Sequence, residues 1–209
     1  MVKDRLIVCI ASSWDYDPTS KHHLMKRLAR HNRVLWVNYH GTRRPAMNSH
    51  DFRGALNVLK RIGRGVQRIS PTMWQMTPFV IPAARNAALR GVHEWLVTRQ
   101  IVRAARMIQQ EENRPIQVWS FAPDVPFLAG KLSEECFVYY CVDDYTRFEC
   151  HDPALMIAQE TRLLQTADVV VATSEPLLKE KRKIRSDAVL NPHGVDFEHF
   201  ARAWRDPPP

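Results

Sequence analysis

Long apolar runs are missing from this chain. No stretch approaches the roughly 20 apolar residues that cross a bilayer. The early run Leu6–Ala11 is too short for a signal-peptide core and has no small-residue cleavage site behind it. Cysteines are few, and Cys9, Cys136, Cys141 and Cys150 form no C-x-x-C pair, which removes zinc-ribbon and thioredoxin-type motifs. Cys9 and Cys141 fall in predicted buried strands, where a reduced thiol acts as a small hydrophobe. A cytoplasmic, reducing setting is therefore expected. The seven glycines make neither a G-x-G-x-x-G nor a Walker A loop, so an ordinary dinucleotide or P-loop site is not expected in this half. There is no G-x-S-x-G and no paired Cys/His arrangement. The nine histidines are scattered apart from His22-His23, so no metal site is expected. No repeat or low-complexity segment appears beyond the terminal prolines.

What the chain does have is alternation. Its 209 residues, 45% of them hydrophobic, suffice for one sizeable core. Apolar runs at Leu6–Ala11, Val34–Val37, Trp74–Ile81, Ile116–Ser120, Phe137–Val142, Ala167–Ala172 and Ala188–Leu190 read as seven strands. Helical stretches separate them at Lys21–Ala29, about Asn86–Gln110, about Val125–Leu132 and Pro153–Thr166. Asp152 is placed to cap the last of these, with Pro153 in its first turn. The pattern predicts an α/β fold with a doubly wound, Rossmann-like parallel sheet. Residues 1–200 form the predicted domain and 201–209 the start of a linker, with a second domain expected beyond Pro209.

Charge is unevenly spread. Between Thr42 and Arg114 there are thirteen Lys/Arg against four acids, a surplus of nine in a chain whose net charge is +8. Within that stretch Phe52, Leu56, Leu59, Ile62, Val66 and Ile69 recur at helical spacing. Arg53, Lys60, Arg61, Arg64 and Arg68 fall largely on other faces. A basic amphipathic segment of this kind suits an anionic membrane surface, and the alternative is an ordinary surface helix weakened by Gly54, Gly63 and Gly65.

In a doubly wound sheet the ligand lies beyond the carboxyl ends of the strands. The first such turn carries Trp14-Asp15-Tyr16-Asp17 and then Ser20-Lys21-His22-His23 at a helix start. Trp14 is either a platform for a sugar ring or a core residue. Ser20 reads as the helix cap. Lys21 sits against the helix dipole's preference, which favours an anion-binding role. The turn after the fifth strand places Asp143 and Asp144 side by side at the mouth of the sheet. Such a pair suits a general base for a hydroxyl, or alternatively a cap and a salt bridge to Arg147.

Several blocks together resemble a known family. They are Trp14; Ser20-Lys21-His22-His23-Leu24-Met25 with Arg27-Leu28-Ala29; Arg33-Val34-Leu35-Trp36-Val37-Asn38; Tyr140-Cys141-Val142-Asp143-Asp144; Ala167-Asp168 through Ser174; and His193-Gly194-Val195-Asp196. In this order they look like the amino-terminal half of a GT-B fold, the acceptor-binding domain of bacterial glycosyltransferases of the teichuronic-acid and exopolysaccharide type. That resemblance implies a sugar moved from a nucleotide-sugar donor, held by the second domain, to a glycan or lipid-linked acceptor in cell-envelope assembly. No cofactor would bind this domain, and the enzyme would sit peripherally on the inner face of the membrane without binding nucleic acid. Asp144 or Asp143 would be the base. Trp14, Ser20, Lys21, His22, Asp124, Ser174, Glu175, His193, Gly194 and Asp196 would line the acceptor side of the cleft. The turn Phe121-Ala122-Pro123-Asp124 lacks the histidine that retaining relatives often carry, which weighs against a retaining mechanism. The alternative is a non-catalytic α/β module that binds a polyanion, membrane or nucleic acid, through residues 42–114.

Overall fold

The computed structural model describes residues 2–15, 18–39, 60–81, 86–149, 151–195, 197 and 201. Eight strands form one sheet: β1 Leu6–Ala11, β2 Arg33–Asn38, β3 Gln67–Ser70, β4 Met73–Met76, β5 Ile116–Ser120, β6 Cys136–Cys141, β7 Val169–Ala172 and β8 Val189–Leu190. Their spatial order is β3-β4-β2-β1-β5-β6-β7-β8, and every pairing is parallel except the β3/β4 hairpin. Among the described residues, four complete helices accompany them: α1 Ser20–Leu28, α2 Ala87–Glu111, α3 Pro153–Thr166 and α4 Glu175–Arg182.

The central strands are continuous apolar runs because both faces are covered. Leu6, Val8 and Ile10 point to a core closed by α2, α3 and α4, whereas Ile7, Cys9 and Ala11 point to one closed by α1. Each helix begins where its sequence allows. Asn86 caps α2 by accepting from Leu89 N–H at 2.7 Å. Asp152 accepts from Ala154 and Leu155, with Pro153 in the first turn of α3. The cap of α1 is Thr19 rather than the expected Ser20. Thr19 is extended (φ −110°, ψ 177°), and its N–H donates to His22 Nδ1 at 3.1 Å, so a histidine fills the capping-box position usually held by Glu or Gln.

Two further expectations are corrected. The helical spacing read from Phe52 to Ile69 does not hold through the described end of that segment. Residues 60–63 are helical, Gly65 turns left-handed at φ +62°, and Gln67–Ser70 then forms β3, an eighth strand hidden in the basic stretch. A glycine accepts that conformation freely, and the chain leaves it extended. The helix expected over Val125–Leu132 is only a 3-10 turn, Pro126–Leu128.

One buried charge pair braces the core. Lys181 Nζ of α4 meets Glu160 Oε1 of α3 at 2.6 Å, with side chains only 9% and 14% exposed, and Tyr139 Oη of β6 donates to the same oxygen at 2.6 Å.

Candidate functional site

β1 is flanked by β2 on one side and β5 on the other, so the chain leaves the sheet's carboxyl edge in opposite directions at this point. A crevice opens where the loops diverge. Here it is a cleft of about 390 Å³. Ser20, Lys21, His23, Leu24 and Arg27 of α1, Phe121 after β5, Tyr140 of β6 and the loop Asn191–Val195 after β8 line it.

The walls of the cleft are fixed by polar contacts. Asn191 N–H donates to Ala172 O at 2.9 Å, and its Nδ2 donates to Tyr140 Oη at 2.8 Å, which holds the β8 loop against β6. Tyr145 Oη donates to Phe121 O at 3.2 Å, and the Phe121 ring leans on Tyr140 at 5.2 Å. These bonds shape the mouth before any ligand arrives.

Cationic groups converge on the cleft. Lys21 Nζ folds back to donate to Ser12 Oγ at 3.4 Å, at the end of β1. Burial lowers the pKa of its amine, while the nearby Asp143 charge opposes that fall. His23, Arg27 and His193 add further basic groups, and the first turn of α1 contributes its N-terminal dipole. Asp143, exposed on the loop after β6, is outside the cleft lining but near enough for its charge to act on the Lys21 amine.

The expected site residues separate into distinct places. Ser20, Lys21, His193 and Gly194 line the cleft. Asp144 is occupied elsewhere: it caps the 3-10 turn Tyr145–Arg147 by accepting from Thr146 N–H at 3.1 Å and pairs with Arg147 Nε at 2.9 Å. The Thr146 hydroxyl first, and Arg147 after it, hold its carboxyl below the ordinary carboxylate range, the reverse of what a general base needs. His22 is buried, stacked on Trp36 at 4.7 Å and tilted against Trp14 at 5.2 Å. Trp14 also meets Trp36 edge-on at 5.0 Å, so it packs the loop after β1. Asp124 is buried near Tyr39, His93 and Tyr145. Ser174 stands at the cap position of α4 and Glu175 in its first turn. Asp196 lies outside the described residues.

The basic residues expected to face a membrane also divide. Arg61 is turned inward, with Nη2 at 3.1 Å from Asp15 and Nη1 donating to Ser13 Oγ at 3.0 Å. Arg68 lies over the Trp74 ring at 5.1 Å and donates to Ser70 O and Pro71 O. Lys60 and Arg64 are exposed. Arg53 lies outside the described residues. No helix among the described residues is long and apolar enough to cross a membrane, and none of their His, Cys, Asp and Glu side chains group into a metal site.

His23, Arg27, Tyr140 and Asn191 are cleft residues that the sequence reading did not single out. A signal existed for two of them: Ser20, His23, Leu24 and Arg27 follow one another at helical spacing and so share one face of α1.

No family model matches the chain, and no curated protein matches it. Among solved structures the chain is similar to the N-acetylmannosamine-6-phosphate 2-epimerase from Clostridium perfringens, at 10% identity and a TM-score of 0.28, over 97% of this chain and 92% of that one. That protein is an epimerase. The glycosyltransferase and GT-B readings are corrected accordingly. The blocks that suggested them are common property of parallel α/β domains: an apolar strand, a capped helix, and a turn such as Gly194-Val195-Asp196. What stands is an α/β fold built on a mostly parallel eight-stranded sheet. A TM-score of 0.28 carries no activity across from the epimerase.

Proposed function

We propose that this domain binds a phosphate-bearing small molecule in the carboxyl-edge cleft and that Asp143 takes a proton from it. The observation that carries this reading is that Lys21 and His23 in the first turn of α1, Arg27 in its last turn and His193 after β8 line one crevice. A phosphate is the ligand that several hydrogen-bond donors of positive charge at a helix start recognise best. Phe121 and Tyr140 supply an apolar and aromatic wall for the rest of the molecule. Asp143 is the carboxylate left available at the mouth once Asp144 is committed to its turn. Near Lys21, it is placed to accept a proton from a bound hydroxyl or activated C–H group.

Calorimetric titration with orthophosphate, hexose phosphates and nucleoside phosphates tests this reading. Binding of one of these classes that weakens at least tenfold in Lys21→Ala supports it. No binding by any of them, or equal binding by the variant, overturns it.

A further inference from the structure

The outer face of α2 carries a second, separate surface. Val92, Trp95, Arg99, Arg103 and Arg106 follow one another at spacings of three or four residues and therefore share one side of the helix. All five are exposed, Val92 at 51% and Trp95 at 59%. The opposite side already meets the core through His93, Val97, Ile101, Ala104, Ala105 and Ile108. Packing against the described residues thus gives no reason for an indole on the outside. The Arg99 guanidinium lies over the Trp95 ring at 5.4 Å, and among the described residues none of the three arginines is in an ion pair. A groove of about 1500 Å³ along the helix adds Lys131 and Arg162 to the same field, against the single acid Glu94 among its described lining residues.

We infer that α2 lies along an anionic membrane surface, with Val92 and Trp95 entering the headgroup boundary and Arg99, Arg103 and Arg106 against lipid phosphates. Exposed apolar residues beside exposed arginines offer the two attractions of an anionic interface, burial of apolar area and pairing with lipid phosphates. Indole rings settle at that boundary, where one edge is apolar and the other wet. A second copy of the chain suits this face poorly, because pairing two such helices brings six arginines together. A nucleic-acid duplex answers the arginines and leaves Val92 and Trp95 without a partner.

Flotation of the full chain with phosphatidylglycerol vesicles and with phosphatidylcholine vesicles tests the inference. The expected result is binding to the first and not the second. The triple variant Arg99→Glu/Arg103→Glu/Arg106→Glu should bind about 100-fold more weakly and Trp95→Ser about tenfold more weakly. Unchanged circular dichroism and melting in both variants confirm that the fold is intact, as expected for side chains that face solvent. The inference is overturned if the native chain ignores phosphatidylglycerol, or if the triple variant binds as well as the native chain. It is equally overturned if both variants abolish a dimer rather than vesicle binding, or if duplex DNA competes the vesicles away.

Discussion

Removing Lys181 alone should be among the most damaging single changes in the domain. Its amine and the Glu160 carboxylate meet at 2.6 Å with side chains 9% and 14% exposed. Without the amine, Glu160 keeps the Tyr139 hydroxyl and the weak, 4.0 Å Cys141 thiol contact as partners inside a packed core. Breaking one side of such a pair typically costs about 3–5 kcal/mol. In a chain of this size each kcal/mol moves the melting temperature by roughly 2–4 °C, so Lys181→Met should melt roughly 6–20 °C lower. Removing both charges is a different matter. Lys181→Met/Glu160→Leu restores apolar packing and leaves only the Tyr139 hydroxyl unpaired, at a cost of about 1–3 kcal/mol. The double variant should therefore be more stable than Lys181→Met. Urea unfolding of the native chain, both single variants and the double variant measures this directly, provided that fluorescence and circular dichroism give coincident transitions. Additive effects, or a loss below about 1 kcal/mol in Lys181→Met, would refute the reasoning, because the pair would then behave as a solvated surface contact.

Two further outcomes follow from the same structure. Gly65→Ala should cost about 1–2 kcal/mol, because φ +62° places a Cβ in the left-handed region. Gly63→Ala, where nothing lies within 4 Å, should be neutral or slightly stabilising, and thermal melts of the two variants should separate accordingly. Burial pulls the His22 pKa below its ordinary 6.5, so the unfolded chain binds a proton that the folded chain refuses. Stability should then fall as pH drops below 6.5 toward the lowered folded-state value, and His93, lowered chiefly by burial as well, adds to the fall. His22→Gln keeps a capping-box residue at that position and should flatten part of the decline in urea midpoint between pH 7 and 5. An unchanged slope would show that His22 is not held neutral.

The sequence made the centre of this fold legible and blurred its margins. β1, β2 and β6 are recognisable because strands covered on both faces must be apolar throughout, and none of the described helices imitates that pattern. α3 is equally legible, since Asp152-Pro153 writes its own start. β3 was hidden: Val66 and Ile69 fit a helical spacing as well as a strand, and only the three-dimensional effect of Gly65 decides between them. The site divided along similar lines. Lys21 stood out because a cation at a helix start is locally unfavourable and needs a reason. His22 looked equally functional, but its packing depends on Trp36, a residue of the neighbouring strand. Asp143 and Asp144 are indistinguishable in sequence. Thr146 and Arg147 claim one of them, and that choice is a matter of turn geometry. Tyr140 and Asn191, fifty-one residues apart, become neighbours only when β8 extends the sheet beside β7.

The most direct measurement is an amide-resolved NMR titration of the full chain with orthophosphate, a hexose phosphate and a nucleoside phosphate in turn. Binding in the cleft predicts saturable shifts at Ser20–Leu24, Arg27 and Asn191–Val195, lost in Lys21→Ala, with α2 largely unmoved. Shifts confined to Arg99, Arg103 and Arg106, or no saturable shift anywhere, would contradict a phosphate site at the carboxyl edge of the sheet.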